Sequence, residues 1–332
     1  MLLFTSCSSN TEPTIEEIET NACTTENLLE NFTDPGGNNI FIYKDGKVFL
    51  QNDTGCNFEL QYFDPAFEDD NYSTTNDGIF IKEGSDLIPV KNNFQEDFEV
   101  AEFTDLFSSD ANNEDFFWTN FTLQSPLAKE VADYVALSKC ILEGFCDFRD
   151  NRMDIIADPT NPENQVLKFT AVKPTSDMVT SKSSLGTVLN FFKKTDEVWF
   201  QADYFIEEGM PYSIVDFENS YFEGAPGPRV VIRENKLVVE NKFGNKAIFF
   251  GTSDRTVPVG EWFTVKVYLK YSNEADGVVE IYQDGERLFR TIGINLPTAN
   301  AIQNILEVGI SATDEETVLL MDNIRISDTS FE

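Results

Sequence analysis

From Met153 to Ile326 the chain reads as short runs of alternating apolar and polar residues, broken by turn signals and carrying no helical period. Successive side chains of a strand point to opposite faces, so this pattern constrains the fold more than any other feature. The runs are 166–172, 185–192, 197–206, 213–218, 229–233, 236–242, 246–250, 262–271, 278–283, 286–291, 304–312 and 317–327. Between Pro228 and Arg233, Arg229 and Arg233 share one face while Val230 and Ile232 share the other. In 264–270 the two lysines stand opposite Val265, Val267 and Leu269. A dozen short strands without interposed helices predicts an all-β sandwich or jelly roll.

The preceding residues are organised differently. Residues 1–25 read as a signal remnant and linker, 26–145 as a small acidic β-rich module with a connecting helix, and 146–332 as the jelly-roll domain. Hairpins are expected at 39–43 with 48–50, and at 78–81 with 87–90. Leu127, Val131, Tyr134, Val135, Leu137 and Ile141 keep helical spacing, which predicts one helix stopped at Gly144.

Composition excludes several functions. There is no histidine, which removes Ser-His-Asp and Cys-His catalysis and histidine metal sites. Fifty-eight Asp+Glu against 24 Lys+Arg give a net charge of −34, the opposite of a nucleic-acid footprint, so no nucleic-acid partner is expected. Residues 1–150 carry 30 acidic and 7 basic side chains, so the excess is steepest there. No run approaches the roughly 20 apolar residues of a membrane-spanning helix.

Leu3-Phe4-Thr5-Ser6-Cys7, followed by Ser-Ser-Asn, resembles the end of a bacterial lipoprotein signal of the Bacteroidetes type. The resemblance implies lipidation at Cys7 and an outer-membrane lipid anchor, with the protein at the cell surface or facing the periplasm. Little precedes Cys7, so the start reads as truncated. The remaining Cys23, Cys56, Cys140 and Cys146 suggest two disulfides in an exported protein, with three possible connectivities. Local pairing, Cys23–Cys56 and Cys140–Cys146, is the expectation. Zinc lacks both a CxxC pair and histidine.

Four passages carry a further likeness: 158–169 as an entry strand, 179–185, the hairpin Glu261-Trp262-Phe263-Thr264 through Asp284-Gly285, and the closing strand 318–326. In these the C-terminal half resembles heparin-lyase-like polysaccharide lyases and, more distantly, laminarinase-like glycoside hydrolases, families that share the concanavalin A-like β-sandwich (jelly roll). The resemblance places Lys182 on a substrate-facing strand and gives Tyr282 an acid or base role. Asp216 and Glu218 stand where such lyases carry Gln and His, and they half match the hydrolase carboxylate set. It also implies a structural Ca²⁺ at Asp322, since hard oxygen ligands suit calcium.

Asp216 and Glu218, two apart on one strand, project to the same side about 6.6 Å apart along it. Such a pair can serve as a retaining-hydrolase couple at about 5–5.5 Å, as an acid and base split by like-charge repulsion, as a calcium site, or as a solvent-facing acidic strand. Arg229, Arg233 and Lys236 are candidate substrate-binding residues, because guanidinium matches a uronate carboxylate in bidentate geometry. The catalytic candidates are thus Lys182, Asp216, Glu218 and Tyr282. The expected partner is a polysaccharide, either cleaved by β-elimination at uronic acids or only held. Alternatives are a non-catalytic glycan-binding lipoprotein and an accessory structural subunit of an outer-membrane protein complex.

Overall fold

In the computed structural model the described residues are 23, 26, 28–33, 39–43, 47–52, 55–62, 72–75, 78–83, 86–107, 117–219, 227–242, 248–249, 254–296 and 301–331. Cys7, most of the 8–25 linker, the hairpin turns at 44–46 and 84–85, and the Gly224–Pro226 part of the Pro-rich turn lie outside them.

Two small antiparallel sheets come first. One holds β1 (Leu28–Thr33), β2 (Asn39–Tyr43), β3 (Lys47–Asn52) and β4 (Gly55–Tyr62). The other holds β5 (Tyr72–Thr75), β6 (Gly78–Glu83) and β7 (Asp86–Pro89). The two expected hairpins are β2–β3 and β6–β7.

The rest of the chain adds β8 (Phe94–Glu96), β9 (Asn120–Thr122), helix α1 (Val131–Leu142), β10 (Arg152–Asp158), β11 (Asn161–Ala171), β12 (Ser181–Thr187) and β13 (Glu197–Glu208). Next are β14 (Ser213–Glu218), β15 (Pro228–Arg233), β16 (Lys236–Asn241), β17 (Ile248–Phe249) and β18 (Trp262–Lys270). β19 (Val278–Gln283), β20 (Glu286–Ile292), β21 (Ile305–Thr313) and β22 (Thr317–Ser327) complete it.

These strands form an all-β sandwich of the jelly-roll type. An eight-stranded sheet runs β10-β11-β22-β13-β18-β19-β20, with β8 also paired to β22, and a seven-stranded sheet runs β17-β16-β15-β14-β21-β12-β9. Every pairing in the two sheets is antiparallel, and the alternation read in the sequence decides which residues fill the space between them. Val265, Val267 and Leu269 of β18 and Val230 and Ile232 of β15 all face the core. Phe200 and Phe217 meet edge to face across the two sheets, with centroids 5.7 Å apart. Burying side chains of this size contributes roughly 1.5–3 kcal/mol each, which is what holds the layers together.

Tight turns follow from local chemistry. Asp284-Gly285 joins β19 to β20 with φ of 50° and 78°, and Glu234-Asn235 joins β15 to β16 with 51° and 61°. Positive φ at both turn residues matches the twist of a two-residue hairpin. Gly309, in the middle of β21, sits at φ +104°, and a Cβ there would come within 2.5 Å of the Phe169 ring.

The helix differs in part from expectation. α1 buries Leu137, Ser138 and Ile141, while Leu127, Val131 and Val135 are 62, 65 and 56% exposed. Its line of contact against β9 is narrow: Ser138 Oγ donates to Phe121 O at 2.9 Å, and the neighbouring apolar stripe faces away. Cys140 and Cys146 form the expected disulfide at the helix end, with Cα atoms 5.2 Å apart. Cys23 is also disulfide-bonded, and the side chain of Cys56 lies outside the described ones. No helix among the described residues is long and apolar enough to cross a membrane.

The three-stranded sheet docks on one end of the sandwich. Tyr72 meets Phe191 edge on at 4.7 Å beside Ile302, and Asn92 exchanges hydrogen bonds with the Phe191 backbone.

Candidate active site

The outer face of the seven-stranded sheet carries a row of directly opposed residues: Gly186 (β12), Glu307 (β21), Asp216 (β14), Arg229 (β15) and Glu240 (β16). Adjacent strands lie about 4.8 Å apart, so two carboxylates, Glu307 and Asp216, confront one another. Like charges directly opposite are destabilising unless cations intervene. Lys182, Lys242 and Arg229 supply them.

Lys242, which follows β16, places Nζ 2.5 Å from Asp216 Oδ1 and also pairs with Glu218. Lys182 on β12 reaches Glu307 at 3.4 Å, and Ser184 Oγ donates to the same carboxylate at 2.5 Å. Arg229 donates from Nε and Nη2 to Glu240 at 3.1 and 3.0 Å, and Tyr212 OH donates to it at 2.8 Å. Arg229 and Arg233 both lie over the Tyr212 ring, at 5.1 and 5.9 Å.

Although this face points away from the core, Asp216 is 1% and Glu240 2% exposed. The face is therefore recessed. Lys182, at 26% side-chain exposure, and Glu307, at 12%, mark where it opens to solvent.

The recess sets the protonation states. Burial works to raise the Asp216 pKa, but Lys242, Arg229 and Lys182 together hold it down at about 2. Burial raises the Glu307 pKa above the ordinary carboxylate value, and Asp216 and Glu218 reinforce that against Lys182 and Lys242. For Lys182 burial opposes the charge, yet Glu307, Glu218 and Asp216 more than offset it and raise its pKa. Tyr134 on α1 lies within electrostatic reach of Lys182 and Glu307, and burial raises its pKa too. The result is one firmly ionised acid, one acid shifted toward neutrality, fixed cations and a protonated phenol.

Residues 129–325 match the polysaccharide lyase family, which is well over half of the chain. The chain belongs to the polysaccharide lyase family. No curated protein matches it. Among solved structures it is similar to endo-β-1,4-glucuronan lyase from the fungus Trichoderma reesei, at 15% identity and a TM-score of 0.46, covering 55% of this chain and 88% of that one. It is also similar to alginate lyase vAL-1 from Chlorella virus, at 13% identity and a TM-score of 0.39, covering 53% and 89%.

Of the residues singled out from sequence, this lyase-family chain brings together Lys182, Asp216, Glu218, Arg229 and Arg233. Arg229 and Glu218 lie on the same side of the sheet, as the alternation required. Lys236 stands at the rim, paired to the exposed Asp254 at 2.8 Å. Tyr282 does not join them. It projects from β19 on the outer face of the eight-stranded sheet, where it donates to Glu280 and lies under Lys266. The tyrosine in direct contact with the site is Tyr212, and Tyr134 lies within electrostatic reach of Lys182 and Glu307.

Asp322 is also on the other sheet, opposite Asp203 on β13. Its carboxylate accepts hydrogen bonds from Asn164 Nδ2 at 2.9 Å, Asn323 Nδ2 at 3.2 Å and Asn323 N at 2.7 Å. Burial, with Asp203 and Asp97 adding, pushes its pKa up to about 6. As arranged, the N–H groups of Asn164 and Asn323 occupy this carboxylate, and a calcium ion would have to displace them. Asp216, Glu218 and Glu307 are the one acidic triad within 4.8 Å among the described residues, and each of its members already pairs with the ammonium of Lys242 or Lys182.

Sequence reasoning singled out neither Glu307 nor Lys242 as a site residue and read Tyr134 only as a position of the helix. A separate recess of about 820 Å³ lies at the β8–β22 edge, lined by Gln95, Asp97, Asp105, Arg325 and Phe331 among others, without a comparable acid–base set.

Proposed function

We propose that the protein is a polysaccharide lyase that cleaves a uronate-containing chain in the recess of the seven-stranded sheet. The observation that carries this is the cluster Lys182–Glu307–Ser184, open to solvent at Lys182, with Tyr134 within electrostatic reach of it. β-Elimination needs a cation on the uronate carboxylate, a base for the C5 proton and an acid for the leaving oxygen. Lys182 neutralises the carboxylate and the charge that spreads into it when C5 loses its proton. The Glu307 carboxylate takes that proton; its raised pKa makes it a stronger base than an ordinary carboxylate. The C4–O4 bond breaks as the C4–C5 double bond forms, and the Tyr134 phenol protonates O4. Arg233, over Tyr212 and open to solvent, serves the carboxylate of a neighbouring sugar.

The test is ultraviolet absorbance of unsaturated uronate released from alginate and from glucuronan. Wild type should produce it, and Glu307→Gln and Tyr134→Phe should each lose at least 100-fold in rate, the lower end of what general acid–base catalysis contributes. Full activity in both variants would overturn the assignment.

A non-catalytic glycan-binding role has one observation in its favour: Asp216 and Glu218 are tied to Lys242 rather than free. Retention on these glycans without product would select it. The Leu3–Cys7 motif supports a lipid anchor that holds the protein on an outer membrane, tested by palmitate labelling that disappears in Cys7→Ala.

A further inference from the structure

The outer face of the eight-stranded sheet, on the opposite side of the sandwich, carries two rows that cross the strands. One is Arg325, Gln201, Lys266, Tyr282 and Arg287, on β22, β13, β18, β19 and β20 in turn. The other is Ser327, Trp199, Tyr268, Glu280 and Arg290 on the same strands.

Trp199 and Tyr268, directly opposite on neighbouring strands, stack with centroids 4.3 Å apart. Lys266 Nζ sits 4.9 Å from the Trp199 ring and 5.3 Å from that of Tyr282, while Arg325 lies 4.5 Å over Phe331. Among the described residues neither Lys266 nor Arg325 has a carboxylate within ion-pair distance. That is unusual in a chain where acids outnumber bases 58 to 24. Arg290 and Arg287 share the single carboxylate of these rows, Glu280, at 2.7 and 3.8 Å.

The strip is thus locally cationic on a protein of net charge −34. Acidic neighbours bound it: Asp203 and Asp322 on one side, and Glu197, opposite Lys270, on the other. Arg325, Lys266 and Arg287 recur at every second strand, roughly 10 Å apart, the length scale of one disaccharide in an extended chain.

We propose that this face is a second, non-catalytic binding site for an extended anionic polysaccharide. Cations at alternate strands meet the carboxylates, Gln201 offers an amide to hydroxyls, and the stacked Trp199–Tyr268 pair gives an apolar contact. The choice of a glycan over other polyanions rests on the lyase reading above. The site itself shares no residue with the recess of the seven-stranded sheet, and at Arg325 it meets the recess of the β8–β22 edge.

The experiment is affinity electrophoresis of the full chain in gels containing sodium alginate or glucuronan, in a Lys182→Ala background that weakens the groove. The comparison is Lys266→Glu/Arg325→Glu, with Trp199→Ala as the uncharged variant and thermal unfolding to verify folding. We expect at least fivefold weaker retention in both, with unchanged activity on short oligouronates when the same changes are made with Lys182 intact. Unchanged retention in the variants overturns the site, as does equal retention of the parent chain in gels containing double-stranded DNA. If these variants lose retention while no polyuronate is cleaved by wild type, the second site stands and the lyase reading falls.

Discussion

Replacing Lys242 by Met keeps the aliphatic stem and removes the ammonium that lies 2.5 Å from Asp216 and also pairs with Glu218. Three carboxylates within 4.8 Å would then keep only Lys182 and Arg229 as counter-charges. Asp216 is 1% exposed, so its charge cannot turn to water. Stranding one partner of a buried pair costs about 3–5 kcal/mol. The wild-type Asp216 pKa points the same way: burial works to raise it, yet the cations hold it at about 2, below the ordinary 3.8. Because that pKa is depressed, the stabilisation is complete above about pH 4 and fades as pH falls toward about 2.

Lys242→Met should therefore lower Tm at pH 7 by roughly 6–20 °C. It should also raise the Asp216 pKa, so that mild acid, which discharges the stranded acid, narrows the gap to wild type. Lys242→Met/Asp216→Asn should recover most of the loss. Scanning calorimetry from pH 3 to 8 on the three proteins reads all of this. A Tm loss under 2 °C at pH 7, or no recovery in the double variant, would refute the view that these charges are mutually dependent.

Three further outcomes follow from the same geometry. The acid limb of the pH–rate profile on polyuronate should lie above the ordinary Glu value of 4.5, because burial raises Glu307, and should vanish in the residual activity of Glu307→Gln. With a net charge of −34, KM for a polyuronate should fall as salt rises from about 0.01 to 0.1 M, where the screening length shrinks from about 30 to 10 Å; a steep rise in KM would mean that the local cations outweigh the total charge. Gly309→Ala should cost about 1–3 kcal/mol in urea unfolding, since its methyl would press on Phe169 at a backbone angle suited to glycine.

Much of this architecture was legible because alternation is a local signal. Arg229-Val230-Val231-Ile232-Arg233 states which side is wet, and the two-residue turns state where the chain reverses. β14, β19 and β22 begin and end where the alternation does. β10 was not anticipated, because Met153 and Ile155 alternate over too short a run to separate from the loop before them. The recess was half legible. Asp216 and Glu218 announce themselves two apart, whereas Glu307 sits in a plain strand and gains meaning only from its register against a strand about ninety residues earlier. Tyr134 was read as one more apolar position of a helix, since nothing local says that α1 borders the β12 end of the sheet. Tyr282 was misplaced because period two fixes which side of its own sheet a residue takes and is silent on which of two sheets that is.

β8 lies beside β22, and Ser327 donates to Asn93, 234 positions away. A ribosome emits Asn93 long before Ser327, so the larger layer waits for its last piece until residue 327 has been made. Trimming the gene just ahead of residue 146 would delete β8 and β9 from both layers, along with Phe98, Phe117 and Trp118 from the interior. An expression clone for the sandwich should begin before Asn92.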